Sequence, residues 1–169
     1  MINLIIKDSN EQVISLDILK NHLRIAHNHE DKYLNSIIGS ATNVLESELH
    51  LSLLHKTYNC VIDNYSIHYP IELPITNVIN IEYVKDEQNN ELSFSTNNKY
   101  EIILNNISNK SPINIKYTAG FTNNVEEIPK DLKLSILQIS KNIYDNSEND
   151  IFDSKYIQTV INKYKQLHI

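Results

Sequence analysis

The spacing of apolar residues changes period twice along this chain, and that change constrains the fold more than any other feature. From residue 16 to about 49 apolar side chains recur every three or four positions, from about 55 to 119 they alternate, and from 129 onward helical spacing returns. A period of 3.6 builds one apolar stripe on a helix and a period of 2 builds one apolar face on a strand, so a segment written in one does not fit the other. Helices are thereby segregated from strands. The order predicts an α+β fold: two N-terminal helices, a small mostly antiparallel β-sheet, then two C-terminal helices.

Local signals place these elements. A first helix is expected from about Leu16 to Ile25, with Ser15 as N-cap, Asp17 in the first turn, and Leu16, Leu19 and Leu23 in phase. Asn28 is a candidate cap for the second, where Glu30 and Asp31 suit the positive end of the helix dipole. Its stripe, Leu34, Ile37, Ile38, Ala41, Val44, Leu45 and Leu49, is broad enough to pack on a sheet, and Gly39 interrupts it mildly. Tyr58, Cys60 and Ile62 alternate as a half-buried strand, and Ile79, Ile81 and Tyr83 are expected on one face of the next. Residues 86–90 read as a turn, with Leu92 and Phe94 returning from it; Tyr100, Ile102 and Leu104, then Ile113, Ile115 and Tyr117, give two further strands. Gly120, one of two glycines, is expected at a backbone turn that a side chain would obstruct. Pro129 and Asp131 open a third helix carrying Leu132, Ile136, Ile139 and Ile143, widened by Leu137 and Tyr144. After the polar break at 146–150, Tyr156, Ile157, Val160, Ile161, Tyr164 and Leu167 mark a last amphipathic helix. Residues 1–150 are thus expected as one domain and 151–169 as a C-terminal helix.

Composition removes several function classes. The chain has 169 residues, 41% hydrophobic and 21% charged, the balance of a globular domain with a real core. No run approaches the length of a membrane span, and Met1 to Ile6 lacks the basic start of a signal peptide, which makes the cytoplasm of the producing cell the expected location. Cys60 is the single cysteine, so disulfides within the chain and thiolate zinc clusters are out, and its alternating surroundings predict a buried small hydrophobe. A net charge of -6 without a basic block disfavours a sequence-blind DNA binder. With two glycines there is no phosphate-cradling loop, and no G-x-S-x-G or H-E-x-x-H motif occurs. His27, His29, Glu30 and Asp31 are the candidate metal ligands, and a metal-dependent hydrolase is the enzyme alternative they define. The acids already have a capping role at a helix entrance, and no further ligands are marked elsewhere. The expectation is no catalytic, cofactor or metal residue, and no enzyme.

Several segments, in order, resemble the phage head-tail connector family, also called head-completion or adaptor proteins. Ser15 to Ile25 is similar to its leading helix with the His-Leu-Arg-Ile ending; Glu30-Asp31 and the stripe to Leu49 follow as its long second helix does. Leu73-Pro74-Ile75, Val78 and Ile81-Glu82-Tyr83 are similar to its Leu-Pro, Val, Ile-x-Tyr pattern, and residues 115–121 to its Tyr-Thr-Ala-Gly-aromatic signature. Ile128-Pro129, Leu132, Tyr144 and Glu148 resemble its closing helix. Two features depart from the pattern: Asn146-Ser147 replaces the basic character often seen before the glutamate, and the final helix carries no anchoring motif.

The resemblance implies a structural adaptor of a tailed phage, prophage or gene-transfer particle: a ring of about twelve copies of the chain, closed by head-to-tail contacts beneath the portal protein. It would join the head to a tail stopper or tail protein and let DNA pass through the lumen, where acids such as Glu126 and Glu127 would repel phosphates. Its place would be the virion, after assembly in the host cytoplasm, with no membrane partner. The neighbouring alternative is a tail-side stopper or tail-terminator ring. The last helix has two readings: its stripe completes the core, or it docks in a partner's groove. On the second reading Lys155, Tyr156, Val160, Lys163, Tyr164 and Leu167 form the partner interface.

Overall fold

The computed structural model describes residues 2–7, 11–63, 70–98, 100–105, 112–146, 152 and 154–166. Glu148 and Leu167, which carried expectations above, lie outside them. The fold is α+β, with four α-helices and two antiparallel sheets among the described residues. Chain contacts divide it into a sheet unit, residues 1–9 and 50–123, and a helical unit, residues 10–49 and 124–169.

The sheet unit contains β1 (Ile2–Lys7), β2 (Lys56–Ile62), β3 (Ile71–Glu72), β4 (Val78–Lys85), β5 (Phe94–Thr96), β6 (Glu101–Leu104) and β7 (Ile113–Ala119). One sheet runs β1-β2-β7-β4 and the other β3-β6-β5. The central pair β2 and β7 alternates as the sequence does. Tyr58 faces Tyr117, Cys60 faces Ile115 and Ile62 faces Ile113, all buried, and the two tyrosine rings stack at 5.3 Å between centroids. Ile71, Ile102 and Leu104 from the second sheet, with Leu73 just after β3, join the same apolar cluster. Cys60 lies inside it, and burial pushes its thiol up to about 11.

Two details of this unit are not encoded by short-range periodicity. β1 precedes the helices, paired antiparallel with β2 from Ile2 opposite Ile62 to Lys7 opposite Thr57. Its sequence is an apolar run with no clean alternation, and its partner lies some fifty residues on, so periodicity did not reveal it. In β4 the expected face of Ile79, Ile81 and Tyr83 holds only in part: Ile81 packs against the core and Tyr83 is half-buried, but Ile79 is not part of it. Val78 and Val84 are buried, while Ile79 is 51% exposed. Register shifts between Val78 and Asn80 and between Ile81 and Tyr83 re-phase the strand, as bulges do by adding an unpaired residue.

After β4 the chain turns tightly on Asp86, whose side chain is buried inside the turn. Its Oδ1 accepts from the backbone N–H groups of Gln88 and Asn90, both at 2.9 Å, and its Oδ2 from the Asn90 side chain at 3.0 Å. Asn89 takes positive φ, 65°, a conformation asparagine tolerates.

The expected obstruction at Gly120 is present. Its φ is +150°, and a Cβ there would sit 2.5 Å from the Leu54 carbonyl oxygen and 2.6 Å from the His55 backbone. Around it the chain is tied to itself. The Gly120 N–H reaches the Asn77 carbonyl at 3.1 Å and the Phe121 N–H reaches that of Ser52 at 3.2 Å. The Asn77 amide brackets Ser52, accepting from its N–H at 3.0 Å and donating to its carbonyl at 2.7 Å.

The helical unit holds α1 (Leu16–Leu23), α2 (Asp31–Leu49), α3 (Lys130–Tyr144) and α4 (Lys155–Gln166). Ser15 caps α1 through its hydroxyl, which accepts from the Ile18 N–H, and Arg24 ends the helix in the left-handed conformation, φ 60°. α2 starts at Asp31. The Asn28 side chain does not cap it and instead accepts from Lys20 Nζ, which also meets Asp31 at 2.8 Å. Lys20 is buried, so this pairing removes the cost of an isolated charge and fixes the turn between α1 and α2. α3 follows Pro129 and a 3-10 turn, Val125–Glu127. Each of α1 and α4 packs on both α2 and α3. Leu19, Leu34, Ile38, Ala41, Leu45, Leu132, Ile136, Ile139 and Ile157 are sealed completely from solvent.

Candidate partner-binding surfaces

The six residues expected at a partner interface separate by exposure. Val160 and Tyr164 are buried, with Ile157 and Ile161 beside them on the stripe. Lys155 and Lys163 are exposed, Tyr156 is half-buried and Leu167 lies outside the described residues. The stripe of α4 therefore covers this chain's own helices. Burying four such apolar side chains is worth roughly 6 kcal/mol at the low end of the transfer scale. The face left for a partner is polar and carries Lys155, Gln158, Thr159, Asn162, Lys163 and Lys165.

One carboxylate sets how α4 lies. Asp131, in the first turn of α3, accepts from Tyr164 Oη at 2.9 Å on Oδ1 and pairs with Lys163 Nζ at 2.6 Å on Oδ2. Its backbone carbonyl accepts from Tyr156 Oη at 3.4 Å. A second ion pair joins Lys165 to Glu48 of α2 at 2.6 Å. Burial pushes the Asp131 carboxyl up, but the hydrogen bonds from Lys163 and Tyr164, the lysine's charge and the Leu132 N–H outweigh it and hold it below its ordinary value. The bond to Asp131 raises Lys163, while burial first and Asp131 second raise Tyr164. The sequence marks Asp131 only as a first-turn acid. No local pattern marks a residue whose carboxylate takes two groups, and whose carbonyl takes a third, from a helix some thirty residues away.

The candidate metal ligands are dispersed by their partners. Asp31 is engaged by Lys20, and Glu30 Oε2 accepts from Tyr144 Oη at 3.0 Å, with His27 Nε2 at 3.9 Å. His27 and His29 face each other at 5.6 Å between ring centroids. Among the described residues no three His, Cys, Asp or Glu side chains are grouped to hold a metal ion. Glu126 and Glu127, the candidate lumen acids, are both exposed. No helix among the described residues is long and apolar enough to cross a membrane.

The fold recurs in known particles. One chain in the virion of a native gene transfer agent particle superposes with a TM-score of 0.73, at 15% identity, over 96% of this chain and 94% of its own. A chain in the neck of an empty gene transfer agent particle, computed with C6 symmetry, gives 0.76 at 15% identity over 98% and 95%. A third, in the neck of the native particle computed with C12 symmetry, gives 0.68 at 14% identity over 95% and 94%. No curated protein matches by sequence. The phage gp6-like head-tail connector protein family matches residues 13–119, from the buried start of the helical unit through the last residue of β7. That stretch takes in α1, α2, the Lys20–Asp31 pairing, the bulged β4 and the Asn77 clamp, and the chain belongs to the phage gp6-like head-tail connector protein family.

Proposed function

We propose that this protein is a structural head-tail connector that closes into a ring of identical copies in the neck of a tailed phage, prophage or gene-transfer particle. The ring would lie beneath the portal protein, contact a tail stopper or tail protein on its other side, and let DNA through. One observation carries the reading: near-complete coverage, in both directions, by chains from gene transfer agent necks computed with C6 and C12 symmetry, in a chain of the connector family. A cyclic neck needs many copies that each present two different, mutually complementary surfaces. It needs no chemistry, and the absence of catalysis belongs to this reading. Assembly would take place in the host cytoplasm, and the finished ring would reside in the virion.

Within the reading, residues 151–169 dock on the portal through Lys155, Lys163 and the polar face around them, with Tyr156 at its edge. Val160 and Tyr164 would reach a partner only if α4 left its seat. Truncation at residue 150 is a poor test, because it strips buried side chains from the helical unit. Lys155→Glu with Asn162→Glu alters the outer face alone and should abolish portal capture with the fold intact. Capture at parental strength would remove α4 from the portal contact.

The decisive experiment on the reading as a whole is light scattering after size-exclusion chromatography, on the protein alone and then with the portal protein of the same particle. A ring-sized mass, or a monomer that joins the portal in near-equal copy number, supports it. A protein indifferent to the portal, yet captured by a tail protein, would move it to the tail side of the neck.

A further inference from the structure

We propose that the open pocket at the C-terminal ends of α1 and α3 receives the acidic turn between β4 and β5 of a second copy of this chain. The proposal rests on the ring reading and names a contact that closes it.

The pocket encloses about 410 Å³ and is lined by His22, Leu23, Arg24, Lys141, Tyr144 and Asp145. Arg24 is the single arginine among the 15 basic residues of the sequence, and it is exposed at the left-handed end of α1. A guanidinium presents a planar fork of donors matched to a carboxylate, which a lysine does not. Lys141 is exposed on α3, so with Asp145 as the sole acid the lining stays net positive. Tyr144 is fixed in the wall by its bond to Glu30 and by its ring contact with Tyr33, 6.4 Å between centroids. A wall held this way loses little freedom when something binds.

The occupant follows from charge and rigidity. Each copy carries a net charge of -6, so neighbours in a ring repel unless a basic surface of one meets an acidic surface of the next. The turn after β4 holds Glu87 and Glu91 exposed at its rim, and the buried Asp86 fixes its shape through three hydrogen bonds. It is a preorganised display of carboxylates on the sheet unit, whereas the pocket is built wholly from the helical unit. Two different surfaces on one protomer are the requirement for a head-to-tail ring.

The test uses full-length chains carrying Arg24→Cys or Glu87→Cys. The buried native Cys60, with its raised thiol, stays out of the reaction. Mixed under mild oxidation, alone and on the portal, the two variants should give a disulfide dimer that neither gives by itself. Arg24→Glu should weaken self-association roughly tenfold or more, and Glu87→Arg in the same chain should restore it. If the parent assembles, the cysteine variants do not cross-link and Arg24→Glu assembles as well as the parent, this contact is wrong and the ring stands. If the parent assembles neither alone nor on the portal, the ring reading fails and the contact falls with it.

Discussion

Replacing Gly120 by alanine adds one methyl group to a place with no room for it. The backbone at φ +150° lies where side chains are rarely tolerated, a strain of about 1–3 kcal/mol for a non-glycine residue. The new Cβ would also meet the Leu54 carbonyl oxygen at 2.5 Å and the His55 backbone at 2.6 Å, and backbone atoms do not swing aside as the tip of a lysine does. Overpacking of this kind adds about 1–3 kcal/mol. Relief would require pulling β7 away from the segment at Leu54, which breaks the Gly120–Asn77 and Phe121–Ser52 hydrogen bonds. The expected loss is roughly 3–5 kcal/mol, a large share of the ~5–15 kcal/mol that keeps a domain folded. In urea, with a slope of about 2 kcal/mol per molar, the midpoint should fall by roughly 2 M. Gly39 is the internal control. A Cβ there meets nothing within 4 Å, and alanine in a helix interior gains about 1 kcal/mol over glycine, so Gly39→Ala should raise the midpoint. Parallel urea titrations followed by circular dichroism decide it. A Gly120→Ala midpoint within about 0.3 M of the parent, at an unchanged slope, would refute the steric argument.

Asp131→Ala removes the acceptor for Lys163 and Tyr164 and should cost about 2 kcal/mol, read as a lower midpoint and faster amide exchange across α4. The folded Asp131 carboxyl is lowered, so its contribution is complete above the ordinary carboxylate value and disappears as pH falls through the lowered one. An acid titration of the parent should therefore show loosening of α4 that Asp131→Asn lacks; identical profiles would argue against the latch. Asn77→Ala leaves the Ser52 N–H without its acceptor and the Ser52 carbonyl with the Phe121 N–H alone, and should cost about 1–3 kcal/mol, whereas a neutral result would mean that water replaces the amide. Cys60 should resist iodoacetamide at pH 8 until the chain unfolds, because burial keeps its thiol protonated; rapid labelling of native protein would contradict its place in the core.

What was legible in the sequence is what short-range periodicity encodes. The stripes of α2 and α3, the alternation of β2 and β7, the Ser15 cap and the obstruction at Gly120 each follow from residues within a few positions of one another. The misses need information from farther away. β1 is defined by a partner fifty residues on, and the β4 face is re-phased by bulges that alternation cannot register. Asn28 looked like a cap because the residue type suits one, but a buried lysine from the preceding helix takes its side chain. Periodicity says that α4 has an apolar face. It does not say whose surface covers that face.

That last distinction changes how the chain can act as a connector. If the stripe of α4 were free, the protein would expose Ile157, Val160, Ile161 and Tyr164 before assembly and would tend to stick to unrelated apolar surfaces. Instead the stripe is covered by the chain's own helices, and Asp131 draws Tyr156, Lys163 and Tyr164 to one point at the start of α3. Beside a few exposed apolar side chains such as Ile79 and Phe121, the surface that remains is polar and lysine-bearing on α4, basic in the pocket around Arg24, and acidic at the turn beyond β4. Charge patterns of this kind select partners by sign and geometry rather than by apolar area, and their strength falls as salt rises. A ring built on them should form on an ordered template and come apart in concentrated salt, where apolar contacts would only tighten. Raising sodium chloride from about 0.1 to 1 M shortens the Debye length from roughly 10 to 3 Å and should release the protomers. Persistence of the ring at 1 M would place the main interface on apolar surface, with Ile79 and Phe121 of the sheet unit the first residues to mutate.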